Sequence, residues 1–227
     1  KVTISVPGGE EIAVKTFNPR LGILGGISII GTTGIVRPMS QESLKASLVC
    51  ALDVARAMGR ETVILVPGNL GENATLRAFK VPAEQVVQMS NYLGFMLREA
   101  RKRGFLRTIL AGHPGKLAKL IRGDLDTHSL KSPPAMDVVV KVLKENNLEE
   151  GIVEAIKDSP TVEGRIQQLA QRGKLYMMED VANKIENKAR ELLGPKTDAG
   201  VVLFDMQMTV IGISEGARNW QKRLETM

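Results

Sequence analysis

The chain has one cysteine, Cys50, in 227 residues. One thiol excludes an intrachain disulfide and any metal cluster built from cysteine alone, and it fits a reducing compartment. Aromatic residues are scarce at 4%, so the basic residues are not interleaved with rings on which bases could stack, which argues against a nucleic-acid module. No apolar run approaches the ~20 residues that a membrane-spanning helix requires, and no signal-peptide pattern opens the chain. No membrane partner is expected, and the expected location is the cytoplasm. The sequence has no repeats and no low-complexity tract. The dinucleotide pattern Gly-x-Gly-x-x-Gly is missing. No Walker A loop is present either, since the Gly112 to Lys116 turn has the wrong glycine spacing and no Ser or Thr after the lysine. Two histidines without a nearby cysteine make a poor zinc site, and no resident metal is expected.

What the chain does have is a recurring pattern. Runs of β-forming residues pass into glycine-bearing turns. Ile27 to Ile30 leads into Gly31-Thr32-Thr33-Gly34-Ile35-Val36-Arg37-Pro38, and Val63 to Val66 into Pro67-Gly68-Asn69-Leu70-Gly71-Glu72. Thr108 to Ala111 leads into Gly112-His113-Pro114-Gly115-Lys116, and Ile4 to Val6, the weakest instance, into Pro7-Gly8-Gly9. Helical patterns separate these units. The alternation predicts parallel strands whose carboxyl ends share one sheet edge, where ligands of such folds bind.

The expected fold class is α/β: a mainly parallel, Rossmann-like sheet with flanking helices. A small, partial α+β portion from the terminal strands accompanies it. Residues 8–197 form the main domain, helical from about 133, and residues 1–7 with 198–227 form the remnant of the smaller one. The chain opens at Lys1 directly in a strand-like run, so a segment preceding it is expected to be missing.

Strands are predicted at 2–6, 27–31, 62–66, 107–111, 201–204 and 209–212, with a brief one at 86–87. Helices are predicted at 9–17, 40–58, 72–79, 91–103, 135–146, 148–157, 161–171 and 178–193. Helix 40–58 has Ser40 as N-cap, an apolar stripe of Leu44, Leu48, Ala51, Leu52, Ala55 and Met58, and Gly59 as its terminator. Pro114 suits a first helical position, and Gly123 closes that turn. Lys131 to Pro134 marks a break. Met177-Met178 reads as helix core.

The net charge is +6 with a pI near 9.5, which fits either a generally basic surface or an anionic ligand. The cluster Arg98, Arg101, Lys102, Arg103 and Arg107 straddles a helix end and complements the helix dipole. At Gly112 to Lys119, helix initiation at Pro114 would leave the amides of Gly115 and Lys116 available to an anion, with Lys116 and Lys119 adding charge. A purely structural strand-to-helix turn explains the same residues. His113 and His128 both follow that strand. Each could serve as a general base or orient an acidic substrate, or His113 caps its helix while His128 bonds within its loop. Arg37 has the planar fork that pairs with a carboxylate, or is solvated. Asn69 and Glu72 could bond a ribose or an amino-acid group, or serve as turn and helix-start residues.

Several runs then carry a resemblance: 18–39, Pro67-Gly68-Asn69, Gln88-Met89-Ser90-Asn91, 112–119, Thr127-His128-Ser129 and Val202 to Asp205. In this order they resemble the CbiD family, the cobalt-precorrin-5B methyltransferases of anaerobic cobalamin biosynthesis. The likeness is dense over residues 1–130 and looser through the helical part. Members of that family have an N-terminal Gly-Thr-rich segment with no counterpart here. The resemblance implies methyl transfer from S-adenosylmethionine to carbon 1 of an anionic corrinoid, with cobalt present only as part of the substrate. On that basis Gly31, Thr32, Thr33, Gly34, Pro67, Gly68, Asn69 and Glu72 are expected to hold the methyl donor. Arg37, Gly115, Lys116, Lys119, Thr127 and Ser129 are expected to meet the substrate, and His113 or His128 to handle a proton. Competing readings are a non-catalytic carrier of an acidic tetrapyrrole or nucleotide, and an isomerase or decarboxylase of the same pathway. The subunit number is left open, a homo-oligomer included.

Overall fold

The computed structural model describes residues 1–16, 18–21, 23–28, 40–157 and 159–225. Helix α1 spans Gly9–Ala13, and α2 spans Gln41–Ala57. They precede strand β1 (Thr62–Val66), α3 (Asn69–Ala78), β2 (Val86–Gln88), α4 (Leu93–Lys102) and β3 (Arg107–Gly112). The helical stretch contains α5 (Pro114–Leu117), α6 (Met136–Glu145), α7 (Glu150–Lys157), α8 (Val162–Gln171) and α9 (Met178–Leu193). The chain then returns to the sheet as β4 (Asp198–Phe204) and β5 (Val210–Ile213) before α10 (Glu215–Glu225).

Local chemistry accounts for the boundaries. The Ser40 hydroxyl accepts the Ser43 amide at the start of α2 (3.3 Å), and the Thr161 hydroxyl accepts the Gly164 amide at the start of α8 (3.0 Å). Gly59 and Gly104 follow α2 and α4 with φ of 73° and 67°, backbone that residues with a Cβ rarely adopt.

The five strands form one sheet in the order β2-β1-β3-β4-β5, parallel throughout except for antiparallel β5. Alternate residues of each strand enter different cores. Val63, Leu65, Leu110, Val201 and Leu203 face the larger core with α2, α4, α6 and α9. Ile64, Val66, Ile109, Ala111, Val202 and Phe204 face Ala74, Phe79, Ala217 and Trp220 on the side of α3 and α10. Burial on both faces explains why β1 reads as an unbroken apolar run.

Several expectations change. Residues 2–6 form no strand: Val2, Ile4 and Val6 are 89%, 61% and 40% exposed. Among the described residues their apolar alternation has no neighbouring strand to pair with, and a strand exists only through its partners. Of the run at 27–31, Ile27 and Ser28 are not strand, and the rest lies outside the described residues. Helix α3 starts at Asn69, three residues before its expected start, so Asn69 opens the helix. The strands near the C-terminus, assigned to a separate α+β portion, instead pair with β3 through β4 and complete the common sheet. Leu44 and Met58 of the α2 stripe are 42% and 57% exposed. The sequence reading did not foresee α10. Among the described residues no helix is long and apolar enough to cross a membrane.

Candidate functional site

The sheet order contains a reversal. From β1 the chain crosses by α3 to β2 on one side, and by α4 to β3 on the other. The connections leaving β1 and β3 therefore run in opposite directions from the sheet's carboxyl edge, the position at which folds of this kind bind ligands. These two turns are packed against each other. A Cβ on Gly112 would lie 2.7 Å from Cδ of Pro67, and one on Gly71 would lie 3.0 Å from the Ala111 carbonyl oxygen. Only glycine permits that approach.

Beside this junction, at the end of β2, the Gln88 side-chain amide donates to Asn69 Oδ1 and to Glu72 Oε2, both at 2.7 Å. Gln88 was not foreseen as a site residue. It joins the two polar groups of the β1 turn into one cluster, while Pro67 and Gly68 form the partly exposed start of that turn. Gly31, Thr32, Thr33, Gly34 and Arg37 lie outside the described residues.

The β3 turn departs from expectation. The Gly115 amide donates to His113 Nδ1 (3.0 Å), and the Lys116 amide to the His113 carbonyl (3.1 Å). Neither amide is available to an anion. A Cβ on Gly115 would fall 2.8 Å from His113 Nδ1, so this glycine makes room for the imidazole that caps α5. His113 Nε2 lies 3.1 Å from Glu163 Oε2 in the first turn of α8. With Nδ1 accepting an N–H, Nε2 carries the proton donated to Glu163. Both ring nitrogens are engaged, and His113 is a capping residue that ties the strand edge to the helical layer.

Lys119 is likewise committed. It is 5% exposed, and its ammonium donates to the carbonyls of Thr127 (3.0 Å) and Ser132 (2.9 Å). Burial lowers its pKa first; the Asp124 charge raises it and Arg122 lowers it. Thr127 is buried, its amide (2.8 Å) and hydroxyl (3.4 Å) both donating to the Asn91 carbonyl. These two residues, expected at the substrate, hold the 124–132 loop. Ser129 is exposed on it.

Two expected residues keep a site-like setting. The Lys116 ammonium is half-buried and donates to Asn91 Oδ1 (3.1 Å). Among the described residues no carboxylate pairs with it. Burial, with the neighbouring Lys119 charge second, holds its pKa below the ordinary lysine value. His128 accepts the Leu130 amide on Nδ1 (3.2 Å), and its own amide donates to Asp126 Oδ1 (3.1 Å). The ring lines a cavity of about 150 Å³ with Gln41, Asn91, Tyr92, Asp126 and Lys131. Among the described residues Nε2 has no hydrogen-bond partner, and no group of three His, Cys, Asp or Glu could hold a metal ion.

Fold and edge together define an α/β protein with a mostly parallel sheet and a cluster of polar side chains at its strand ends. Family comparison is then specific. The CbiD model matches residues 1–38 and the CbiD C-terminal domain model residues 126–215, together more than half of the chain. The chain belongs to the CbiD family. A protein of Desulfitobacterium hafniense is 40% identical over 216 residues, covering 95% of this chain and 56% of that protein. One from Photorhabdus laumondii is 41% identical over 213 residues, covering 92% and 56%, and one from a Thermoanaerobacter species 36% over 222 residues, covering 97% and 60%. All three are named cobalt-precorrin-5B C(1)-methyltransferase. The chain thus spans somewhat over half the length of these curated relatives. No solved structure matches it.

Proposed function

We propose that this chain carries S-adenosylmethionine-dependent methylation of carbon 1 of cobalt-precorrin-5B, giving cobalt-precorrin-6A in cobalamin biosynthesis. It would be a cytoplasmic enzyme with a Rossmann-like sheet and an anionic corrinoid as substrate. The observation that carries this reading is that relatives bearing that name align with 92–97% of the chain, the strand-end turns included.

The site chemistry fits the methyl donor. Asn69, Glu72 and Gln88 offer carboxylate, carbonyl and N–H groups on the β1–β2 strand ends, the types that bond nucleoside hydroxyls and amino-acid groups. When bound, the sulfonium supplies a methyl already activated for transfer to carbon. The protein's work is then alignment and exclusion of water. Gln88 holds Asn69 and Glu72 in one arrangement, so that the donor side is ordered before binding. Lys116 meets a peripheral carboxylate of the substrate, because a half-buried ammonium with no carboxylate partner among the described residues gains most from an incoming anion. Lys119 and Thr127 fix the loop that carries His128. The proton role belongs to His128 Nε2 and not to His113, whose nitrogens are both engaged.

Incubation with methyl-¹³C S-adenosylmethionine and cobalt-precorrin-5B tests the reading. The expected result is the label at carbon 1 and one S-adenosylhomocysteine per methyl transferred. Folded protein that transfers no label and shows no calorimetric binding of S-adenosylmethionine would overturn it.

A further inference from the structure

Asn91 faces Lys116 from the turn that leaves β2. Its side-chain oxygen accepts from the Lys116 ammonium at 3.1 Å. Its carbonyl accepts both the amide and the hydroxyl of Thr127, at 2.8 and 3.4 Å. The preceding residue, Ser90, has φ of 53°, a left-handed conformation uncommon for a residue with a Cβ. The backbone that delivers Asn91 is therefore held from two sides. Its side chain also lines the cavity of about 150 Å³ beside His128.

The chemistry of this contact is unusual for a half-buried cation. Desolvated ammonium groups ordinarily pair with carboxylates. Here the partner among the described residues is an amide, which satisfies one N–H but carries no charge. An aspartate, nearly the same shape, would fit the position and neutralise the lysine. We propose that Asn91 is a positioning residue that aims the Lys116 ammonium at an acidic side chain of the substrate while leaving its charge uncompensated. This rests on the reading that Lys116 meets a substrate carboxylate. It adds that the identity of residue 91, amide and not acid, sets the affinity for a polyanionic macrocycle.

Methyl-transfer kinetics on four proteins test it, with cobalt-precorrin-5B varied at saturating S-adenosylmethionine: wild type, Lys116→Met, Asn91→Asp and the double variant. Thermal melting confirms that each is folded, and Asn91→Ser, polar but unable to neutralise, serves if Asn91→Asp does not fold. Lys116→Met should raise the KM for the corrinoid on the order of tenfold or more, as loss of a charged hydrogen bond does, with a smaller change in kcat. Asn91→Asp should raise KM to a similar degree and flatten its dependence on ionic strength as Lys116→Met does. Introduced into Lys116→Met it should do nothing further. Asn91→Ser should hold KM nearer the wild-type value.

The outcomes separate the two ideas. If Lys116→Met leaves KM unchanged, the carboxylate reading fails and this proposal falls with it. If Lys116→Met raises KM while Asn91→Asp does not, the carboxylate reading survives and the role of Asn91 is refuted. An equal loss from Asn91→Asp with and without Lys116 also refutes it, since residue 91 would then act through the fold and not through the lysine.

Discussion

Arg165 offers the sharpest test of how the helical layer is held. Its side chain is 6% exposed on α8. The guanidinium donates to three backbone carbonyls: Met136 at the start of α6 (3.0 Å), Lys157 at the end of α7 (3.1 Å) and Ser159 between α7 and α8 (3.3 Å). Burial lowers the pKa of this group, with Asp137 acting against that, so the environment charges a cost that the three bonds offset. Arg165→Met keeps the length and apolar stem but strands three carbonyls. A hydrogen bond to a charged group contributes about 1.5–3 kcal/mol. Water reaching some carbonyls, and relief from burying a charge, reduce the total, so the expected loss is roughly 2–4 kcal/mol. At about 2–4 °C per kcal/mol for a chain of this size, the melting temperature should fall by roughly 4–16 °C. Urea unfolding should show a lower midpoint at unchanged slope, the sign of lost stability without a change in exposed surface. Arg165→Lys should fall between, since one ammonium cannot reach three divergent carbonyls. A loss under about 0.5 kcal/mol for Arg165→Met would refute the claim that this guanidinium joins α6, α7 and α8.

Other expectations are quickly checked. His113→Ala should cost about 1 kcal/mol by loss of the α5 cap, whereas His113→Asn, able to accept the Gly115 amide, should restore stability and retain methyl transfer; near-complete loss of turnover in a folded His113→Asn protein would return the imidazole to the chemistry. Gly216→Ala places a Cβ 2.0 Å from the Ala199 carbonyl oxygen, so α10 must shift at a cost of about 1–3 kcal/mol. Trp220, the single tryptophan, is 3% exposed with its ring centroid 5.1 Å from that of Phe79, and its emission should move to the red; an unchanged spectrum and melting temperature would contradict this packing. In acid, the 124–132 loop should weaken. Burial pushes Asp124 and Asp126 up, but bonds from Arg122 and Ser132 to the first, and from Lys131 and the His128 amide to the second, hold both below the ordinary value. A depressed carboxylate contributes stability that is full above its unfolded pKa, about 3.9, and that is lost as pH falls through the lower folded value. Amide protection factors in this loop should fall below about pH 4, and Asp124→Asn should reduce that dependence.

Periodicity and punctuation made much of the architecture legible. Four inward-facing residues of α2, Leu48, Ala51, Leu52 and Ala55, recur at helical spacing, and Ser40 and Gly59 delimit the helix. The strands β1 and β3 read as buried because their apolar runs are continuous. Local pattern misled at residues 2–6, where alternation predicts a strand but pairing decides whether one forms. It missed α10, which is strongly polar and becomes helical by packing Ala217 and Trp220 on the sheet.

The site shows the same division. Which residues lie on the carboxyl edge follows from strand order and turn position, and Lys116, Asn69 and Glu72 were all named from their turns. What those side chains do there depends on distant partners. Glu163 sits 50 residues from His113 and converts a candidate base into a cap. Asn91 sits 25 residues from Lys116 and leaves its charge in place, while Thr127 and Ser132 take up Lys119. Composition and spacing determine helices, strands and the edge to which polar turns are carried, because those depend on neighbours along the chain. Whether a lysine is open to a ligand or bound inside a loop was decided only by folding, because desolvation and pairing depend on groups brought together from across the chain.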